Sequence, residues 1–163
     1  MGTFVNNKTK LIVVKSNGNS GKTTTIWMTF LELVRQNAII NFFGTTYLGS
    51  KLAYPAVLPA SANRFDFVAD VIFKNKRVIL VSMGDVAADV DTELQKILPT
   101  NPDFVICASR SQNRTGSTWE LFVTKYTNLI YDRVCFWSEY AIHQLDEERV
   151  KQPTVEAIIK YIS

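Results

Sequence analysis

The sequence predicts an α/β fold: a three-layer sandwich in which helices cover both faces of a mostly parallel sheet. Several short segments are apolar throughout, without the polar alternation of a strand that has one solvated face. Segments with apolar residues at helical spacing lie between them. Strands of this kind that alternate with amphipathic helices are typical of a parallel sheet that is buried on both sides.

We expect one domain over residues 1–163, because no internal repeat or change of composition marks a boundary in a chain of this length. Hydrophobic residues make up 47% and charged residues 20%, as in ordinary globular proteins. The net charge of +3 permits a basic patch for an anionic ligand. Clustered basic and aromatic residues are absent, so nucleic acid is not a predicted partner. The three tryptophans are predicted to be core residues: Trp27, Trp119 and Trp137.

The chain is expected to be cytoplasmic, without a membrane span. No run approaches the ~18 consecutive apolar residues that cross a bilayer, and the N-terminal residues lack the apolar core of a signal peptide. Cys107 and Cys135 lie in apolar, strand-like runs and are expected to be buried, reduced thiols. With a single histidine in the chain, neither a zinc site nor a histidine triad is predicted.

The first elements are a strand, a loop and a helix. Residues 10–15 form an apolar run that ends at a glycine-bearing loop. Helical spacing follows at four apolar positions: Ile26, Phe30, Leu33 and Val34. A second apolar run, 38–43, is predicted to be a strand. Residues 44–64 are rich in Gly, Pro, Ser and Ala and predict a long surface loop, and loops of that length are usually functional or mobile.

A hairpin is predicted next, from the apolar runs 65–73 and 77–82 with Asn75 in the turn between them. A helix around residues 91–98 is expected to begin with Asp91 as its cap. Pro99 marks its end.

The remaining elements continue the alternation. Residues 103–109 predict a buried strand, and residues 117–120 form a capping-box pattern that opens a helix. Residues 133–137 predict a last strand. Pro153 is expected in the first turn of a last helix, where proline is tolerated.

The loop at residues 16–24 has the features that phosphate binding requires. Gly18 and Gly21 allow backbone N–H groups to converge on an anion. Lys22 supplies a movable cation for the terminal phosphates, and the Thr23 hydroxyl supplies a ligand for Mg²⁺. Thr24 is placed to donate to an inner phosphate, beside the positive end of the helix dipole. The expected nucleotide-binding residues are Asn17, Gly18, Asn19, Ser20, Gly21, Lys22, Thr23 and Thr24.

A different interpretation of this loop is a turn that only joins a strand to a helix. Its glycines and asparagines would suit such a turn equally well. However, the loop follows an apolar strand and opens an amphipathic helix, as a phosphate loop does. A lysine and three threonines at the start of a helix have no packing role, so the sequence favours phosphate binding.

The string SNGNSGKTTT, residues 16–25, resembles the Walker A loop of P-loop NTPases. It is most similar to the loop of the partition and cell-division-placement ATPases, which commonly have no first glycine, as here with Ser16. The resemblance covers roughly the first 40 residues. It implies a P-loop NTPase-like fold, and that Gly18, Gly21, Lys22, Thr23 and Thr24 bind ATP and Mg²⁺. Asn17 stands where that family has a signature lysine that crosses a dimer interface, so a nucleotide-sandwich dimer is not predicted.

A phosphate-loop site usually has an acidic residue at the end of a second buried strand, where it holds Mg²⁺. Ser82 occupies that position after the apolar run, and Asp85 follows three residues later. Asp85 is therefore the candidate Mg²⁺ partner, with a helix cap or a solvated carboxylate as its alternative role. Asp66 or Asp70 would replace it if the hairpin is assigned wrongly.

Arg110 and Arg114 lie in the loop that follows the strand 103–109. Loops after the carboxyl ends of parallel strands line the ligand crevice. The two arginines are therefore candidates to contact a phosphoryl group or an acceptor, and the alternative is a solvated surface loop. The Asn-Lys-x-Asp motif that selects guanine is absent, which favours ATP over GTP.

Three functions are compatible with these residues. The first is a Mg-ATP-dependent P-loop NTPase, a hydrolase with Lys22, Asp85, Arg110 and Arg114 as its catalytic residues. The second is a small-molecule or nucleotide kinase, in which the loop 44–64 closes over the acceptor. The third is a non-catalytic module that senses the bound nucleotide and presents a surface to a protein partner.

Overall fold

A computed structural model describes residues 8–16, 22–60, 63–83, 86–110, 125–126, 132–137 and 147–163. Its strands are β1 Lys10–Ser16, β2 Ile39–Gly44, β3 Val68–Phe73, β4 Lys76–Val81, β5 Phe104–Arg110 and β6 Asp132–Trp137. Its α-helices are α1 Lys22–Arg35, α2 Ala87–Ile97 and α3 Glu147–Ile162, and a 3-10 turn, Leu98–Thr100, follows α2. None of the helices in these ranges is long and apolar enough to cross a membrane.

The strands form one sheet in the order β2-β3-β4-β5-β1-β6. The pairings β4–β5, β5–β1 and β1–β6 are parallel, whereas β3 is antiparallel to both β2 and β4. The α/β class is therefore confirmed, and the sheet is mixed because the hairpin inserts a reversed strand.

Apolar side chains are buried on both faces of the sheet. One cluster contains the apolar faces of α1 and α3 together with alternate residues of the strands. The other contains α2 and the residues of the opposite strand face. This arrangement is compatible with the predicted three-layer sandwich.

The predicted hairpin is present, with β3 and β4 joined by Lys74 and Asn75. Both residues have positive φ, 50° and 64°. A two-residue turn of this kind matches the right-handed twist of the two strands. Asn75 therefore supplies the turn as expected, and Lys74 adopts the same left-handed conformation beside it.

The predicted helix after the glycine-bearing loop is also present, and its apolar stripe is buried against the sheet. Trp27 is fully buried, as predicted, with its ring centroid 4.4 Å from that of Phe67. The long loop is confirmed in part, since residues 45–60 and 63–67 contain neither an α-helix nor a strand.

Two predictions about helix ends are wrong. Val86, and not Asp91, is the N-cap of α2. The Asp91 carboxylate lies one turn inside the helix, where it accepts hydrogen bonds from the Lys125 ammonium and the Tyr126 hydroxyl. Pro153 lies inside α3 and not in its first turn, because the helix begins earlier, at the acidic pair Glu147 and Glu148. These charged residues carry no apolar periodicity, so the sequence pattern does not include them.

The predictions for the last strand are also wrong in part. Cys107 is buried as expected, but Cys135 is exposed, and no disulfide joins the two. Trp137 is 52% exposed and is not a core residue. Both exposed side chains belong to β6, which is an edge strand of the described sheet. The helix predicted to open at residues 117–120, including Trp119, lies outside the described residues.

Candidate functional site

The candidate site lies at the carboxyl edge of the parallel strands. β1 ends at Ser16 and α1 begins at Lys22, so the intervening loop starts at this edge. The register of β1 and β5 pairs Ser16 with Arg110. The end of β5 therefore meets the start of the loop, as the sequence analysis expected. Seven predicted site residues lie outside the described ranges: Asn17, Gly18, Asn19, Ser20, Gly21, Asp85 and Arg114.

Lys22 is the first residue of α1 and is only 5% exposed. A buried ammonium group requires hydrogen bonds or a charged partner to offset its lost hydration. The N-terminus of α1 beside it carries a partial positive charge and unsatisfied N–H groups. An anion bound at this point would be stabilised by both the ammonium group and the helix terminus.

Thr23 connects the first turn of α1 to the end of β4. Its Oγ1 donates to the carbonyl oxygen of Ser82, at a distance of 3.4 Å. Ser82 directly follows the last residue of β4, at the position where the sequence analysis expected an acid. β5 lies between β1 and β4 in the sheet, so this hydrogen bond reaches across a strand. The predicted Mg²⁺ ligand Thr23 therefore lies beside the predicted second strand.

The segment 64–67, which leads into β3, runs along both α1 and the end of β4. Trp27 Nε1 donates to the carbonyl oxygen of Phe65 at 3.0 Å. On the other side, the N–H of Phe67 donates to Ser82 Oγ at 2.7 Å, and the N–H of Ser82 donates to the Phe67 carbonyl at 3.0 Å. These three hydrogen bonds hold the segment between α1 and the end of β4.

Asp66 lies in this segment, and Ser82 Oγ donates to its Oδ1 at 3.4 Å. Thr23 and Asp66 therefore contact the same residue, one at its carbonyl group and the other at its hydroxyl group. Asp66 is exposed, so its carboxylate is accessible to an ion from solvent. From the sequence, Asp66 is only a secondary candidate for holding Mg²⁺. β3 is antiparallel, which brings the residues before it to the edge where parallel strands end.

Asp70 does not belong to this site. It is buried within β3, and its carboxylate accepts a hydrogen bond from Arg77 Nη2 at 2.8 Å. Arg77 lies near the start of β4, at the opposite end of that strand from Ser82. Arg77 Nη2 also donates to the Tyr47 hydroxyl at 2.7 Å, which ties the long loop to the sheet. The hydrogen bond that Arg77 donates to Asp70 raises the pKa of Arg77.

The site has donors suited to Mg²⁺ but not to a softer metal. In the described part of the chain, no group of three or more His, Cys, Asp or Glu side chains could hold a metal. Mg²⁺ needs less from the protein, since it keeps several waters and binds one or two oxygen ligands together with substrate phosphates. The Thr23 hydroxyl and the Asp66 carboxylate fit that requirement.

Burial raises the pKa of Cys107 on β5 strongly, which keeps its thiol protonated and excludes it as a nucleophile.

Comparisons of the chain with protein-family models, with curated proteins and with solved structures gave no match. The function is therefore inferred from these residues and their geometry.

Proposed function

We propose that the chain binds Mg-ATP at the carboxyl edge of its parallel strands and is a P-loop NTPase that hydrolyses or transfers the γ-phosphate. The observation that carries the proposal is the position of Lys22, Thr23 and Thr24. They form the first turn of α1, and Thr23 contacts Ser82 at the end of β4.

Each of these residues has a role that its chemistry supports. Lys22 neutralises negative charge on the terminal phosphates, and Thr24 donates a hydrogen bond to an inner phosphate. Thr23 and either Asp66 or Asp85 would hold Mg²⁺, which would neutralise part of the negative charge on the phosphates. Phosphoryl transfer depends on positioning and electrostatics and needs no nucleophilic side chain.

The decisive experiment follows γ-labelled ATP with the purified chain and Mg²⁺. Release of labelled phosphate into water supports a hydrolase, and transfer of the label to an added nucleoside or small alcohol supports a kinase. Saturable binding of ATP without turnover supports the nucleotide-sensing module. No binding of ATP at millimolar concentration would contradict all three functions.

The first prediction concerns the acid that holds Mg²⁺. We expect Asp66→Asn to raise the Mg²⁺ concentration for half-maximal ATP binding by about tenfold, which corresponds to about 1.4 kcal/mol. The amide keeps the size of the side chain but loses the charge that attracts the cation. A Mg²⁺ titration of ATP binding measures the effect, with metal-free binding as the baseline.

Asp85→Asn is the necessary comparison, since the sequence favours Asp85 for this role. If only Asp85→Asn raises the Mg²⁺ requirement, Asp85 is the acid and Asp66 only supports Ser82. If neither variant changes the Mg²⁺ requirement, neither carboxylate holds the metal ion.

The second prediction concerns the arginine at the end of β5. The backbone of Arg110 is paired with Ser16, next to the phosphate loop. If a guanidinium group contacts the transferring phosphate, its charge matters most as negative charge is redistributed in the transition state. We therefore expect Arg110→Ala or Arg114→Ala to reduce kcat at least tenfold with a smaller change in ATP affinity. Wild-type kinetics in both variants would exclude both arginines from the proposed site.

A further inference from the structure

Arg64 joins three parts of the chain that are distant in sequence. Its Nη1 donates to Thr24 Oγ1 at 2.8 Å, in the first turn of α1. The same nitrogen lies 3.0 Å and 2.9 Å from the two carboxylate oxygens of Glu147, the first residue of α3. Its Nε donates to the carbonyl oxygen of Pro59 at 2.8 Å, which holds the guanidinium plane in place.

These groups are largely shielded from water. Thr24 is 4% exposed, and the side chains of Arg64 and Glu147 are 10% and 15% exposed. A shielded ion pair is weak evidence for a purely stabilising role, because the lost hydration of both charges offsets much of their attraction. An apolar pair would join the segment at residue 64 to the start of α3 at least as well. The hydrogen bond to Thr24 is the feature that an apolar pair could not provide.

The chemistry of a hydroxyl group explains what this hydrogen bond does. A threonine hydroxyl has one hydrogen to donate and two lone pairs that accept. A guanidinium group only donates, so Thr24 cannot give its hydrogen to Arg64. With Arg64 at one lone pair, the rotation of the hydroxyl is restricted and its hydrogen is directed elsewhere. Accepting a hydrogen bond from a cation also polarises the O–H bond and makes it a stronger donor.

We propose that Arg64 is a positioning residue for nucleotide binding: it orients the Thr24 hydroxyl so that its hydrogen is donated to an inner phosphate of the bound nucleotide. Glu147 binds the same Nη1 through both of its carboxylate oxygens and holds the guanidinium group beside Thr24. Arg64 thereby acts through Thr24 and does not contact the phosphates itself. This inference rests on the proposed function, since it assigns a role within the same site.

The proposal makes ADP as informative as ATP, because an inner phosphate is present in both. We expect Arg64→Met to weaken the binding of Mg-ADP and Mg-ATP by the same factor, about tenfold. Methionine keeps an apolar stem of similar reach but has no donor. Thr24→Val is expected to weaken both nucleotides by a similar factor. Titration calorimetry with each nucleotide measures these affinities.

A double-mutant cycle separates positioning from a merely structural role. If Arg64 acts through Thr24, the double variant binds no more weakly than Thr24→Val alone, which gives a coupling of about tenfold. Arg35→Met is the matched control, since Arg35 lies on α1, as Thr24 does, but pairs with Glu32 on the surface. We expect the control to bind both nucleotides as the wild type does. Thermal unfolding checks that each variant is folded.

Glu147→Gln provides an independent measurement in case Arg64→Met does not fold. The amide retains one acceptor for Nη1 but loses the second carboxylate oxygen and the charge. Arg64 is then held less firmly beside Thr24, so we expect about a threefold loss for both nucleotides. No loss in this variant would overturn the proposal that Arg64, held by Glu147, orients the Thr24 hydroxyl.

Three results would overturn the proposal for Arg64: unchanged affinity in Arg64→Met, losses that add in the double variant, or a loss confined to ATP. The last of these would mean that Arg64 contacts the terminal phosphate directly. The proposed function fails separately, if the wild type binds neither nucleotide or if Lys22→Ala binds them unchanged. A strong effect of Lys22→Ala with none of Arg64→Met would refute only the role of Arg64.

Discussion

Lys22→Ala is expected to weaken Mg-ATP binding by about 10- to 100-fold and to abolish measurable turnover. A hydrogen bond to a charged group contributes about 1.5–3 kcal/mol, and each 1.4 kcal/mol is a factor of ten in affinity. Lys22 is the first residue of α1 and is only 5% exposed, so a bound phosphate would interact with it largely shielded from water. Titration calorimetry and phosphate release measure the two effects.

The control for this variant is Lys51→Ala, which removes an exposed lysine from the long loop. It changes the net charge by the same amount, so it isolates the local contact from general electrostatic attraction. We expect it to bind ATP as the wild type does. Circular dichroism should show both variants folded. Unchanged Mg-ATP affinity and turnover in a folded Lys22→Ala protein would contradict the assignment of residues 16–24 as a phosphate-binding loop.

Asp70→Ala is expected to lower the free energy of unfolding by about 2–4 kcal/mol. Removing one partner of a buried ion pair typically costs 3–5 kcal/mol, because the other charge stays desolvated. The Asp70 side chain is 9% exposed, but that of Arg77 is 26% exposed, so solvent screens part of the effect. Urea denaturation at neutral pH measures the change, with Lys8→Ala as the control.

Lys8 pairs with Asp103 at 3.3 Å, and its side chain is 57% exposed. Exposed pairs of this kind contribute little, so we expect a change within about 0.5 kcal/mol. Nucleotide affinity and the Mg²⁺ requirement should be unchanged in a folded Asp70→Ala protein, in contrast to Asp66→Asn. An Asp70 variant of wild-type stability that needs more Mg²⁺ would mean that Asp70, and not Asp66, serves the site.

The parts of the fold that the sequence predicts well are those set by neighbouring residues. The apolar run of β1, the helical spacing of α1 and the asparagine in the β3–β4 turn are all local signals. The rule that parallel strands end at one edge then predicts that the loops after β1 and β5 meet there, and the pairing of Ser16 with Arg110 agrees.

Other features depend on the order of the strands, which no local pattern specifies. Cys135 and Trp137 lie in an apolar run that looks like a buried strand, yet β6 pairs with a neighbour on one side only in the described sheet. Fewer neighbouring residues pack against an edge strand than against a central one, and alternate side chains of β6 remain exposed. Their exposure therefore could not be predicted from composition.

The sequence by itself determined the α/β class and the candidate phosphate loop, because both depend on residues within a few positions of each other. Only the tertiary structure identified Asp66 beside Ser82 and the link from Arg64 to Thr24 and Glu147. Arg64 is separated from Thr24 by 40 positions and from Glu147 by 83. Contacts over such separations form when the strands and helices pack, and a single arginine or aspartate in a loop carries no pattern that indicates its partner.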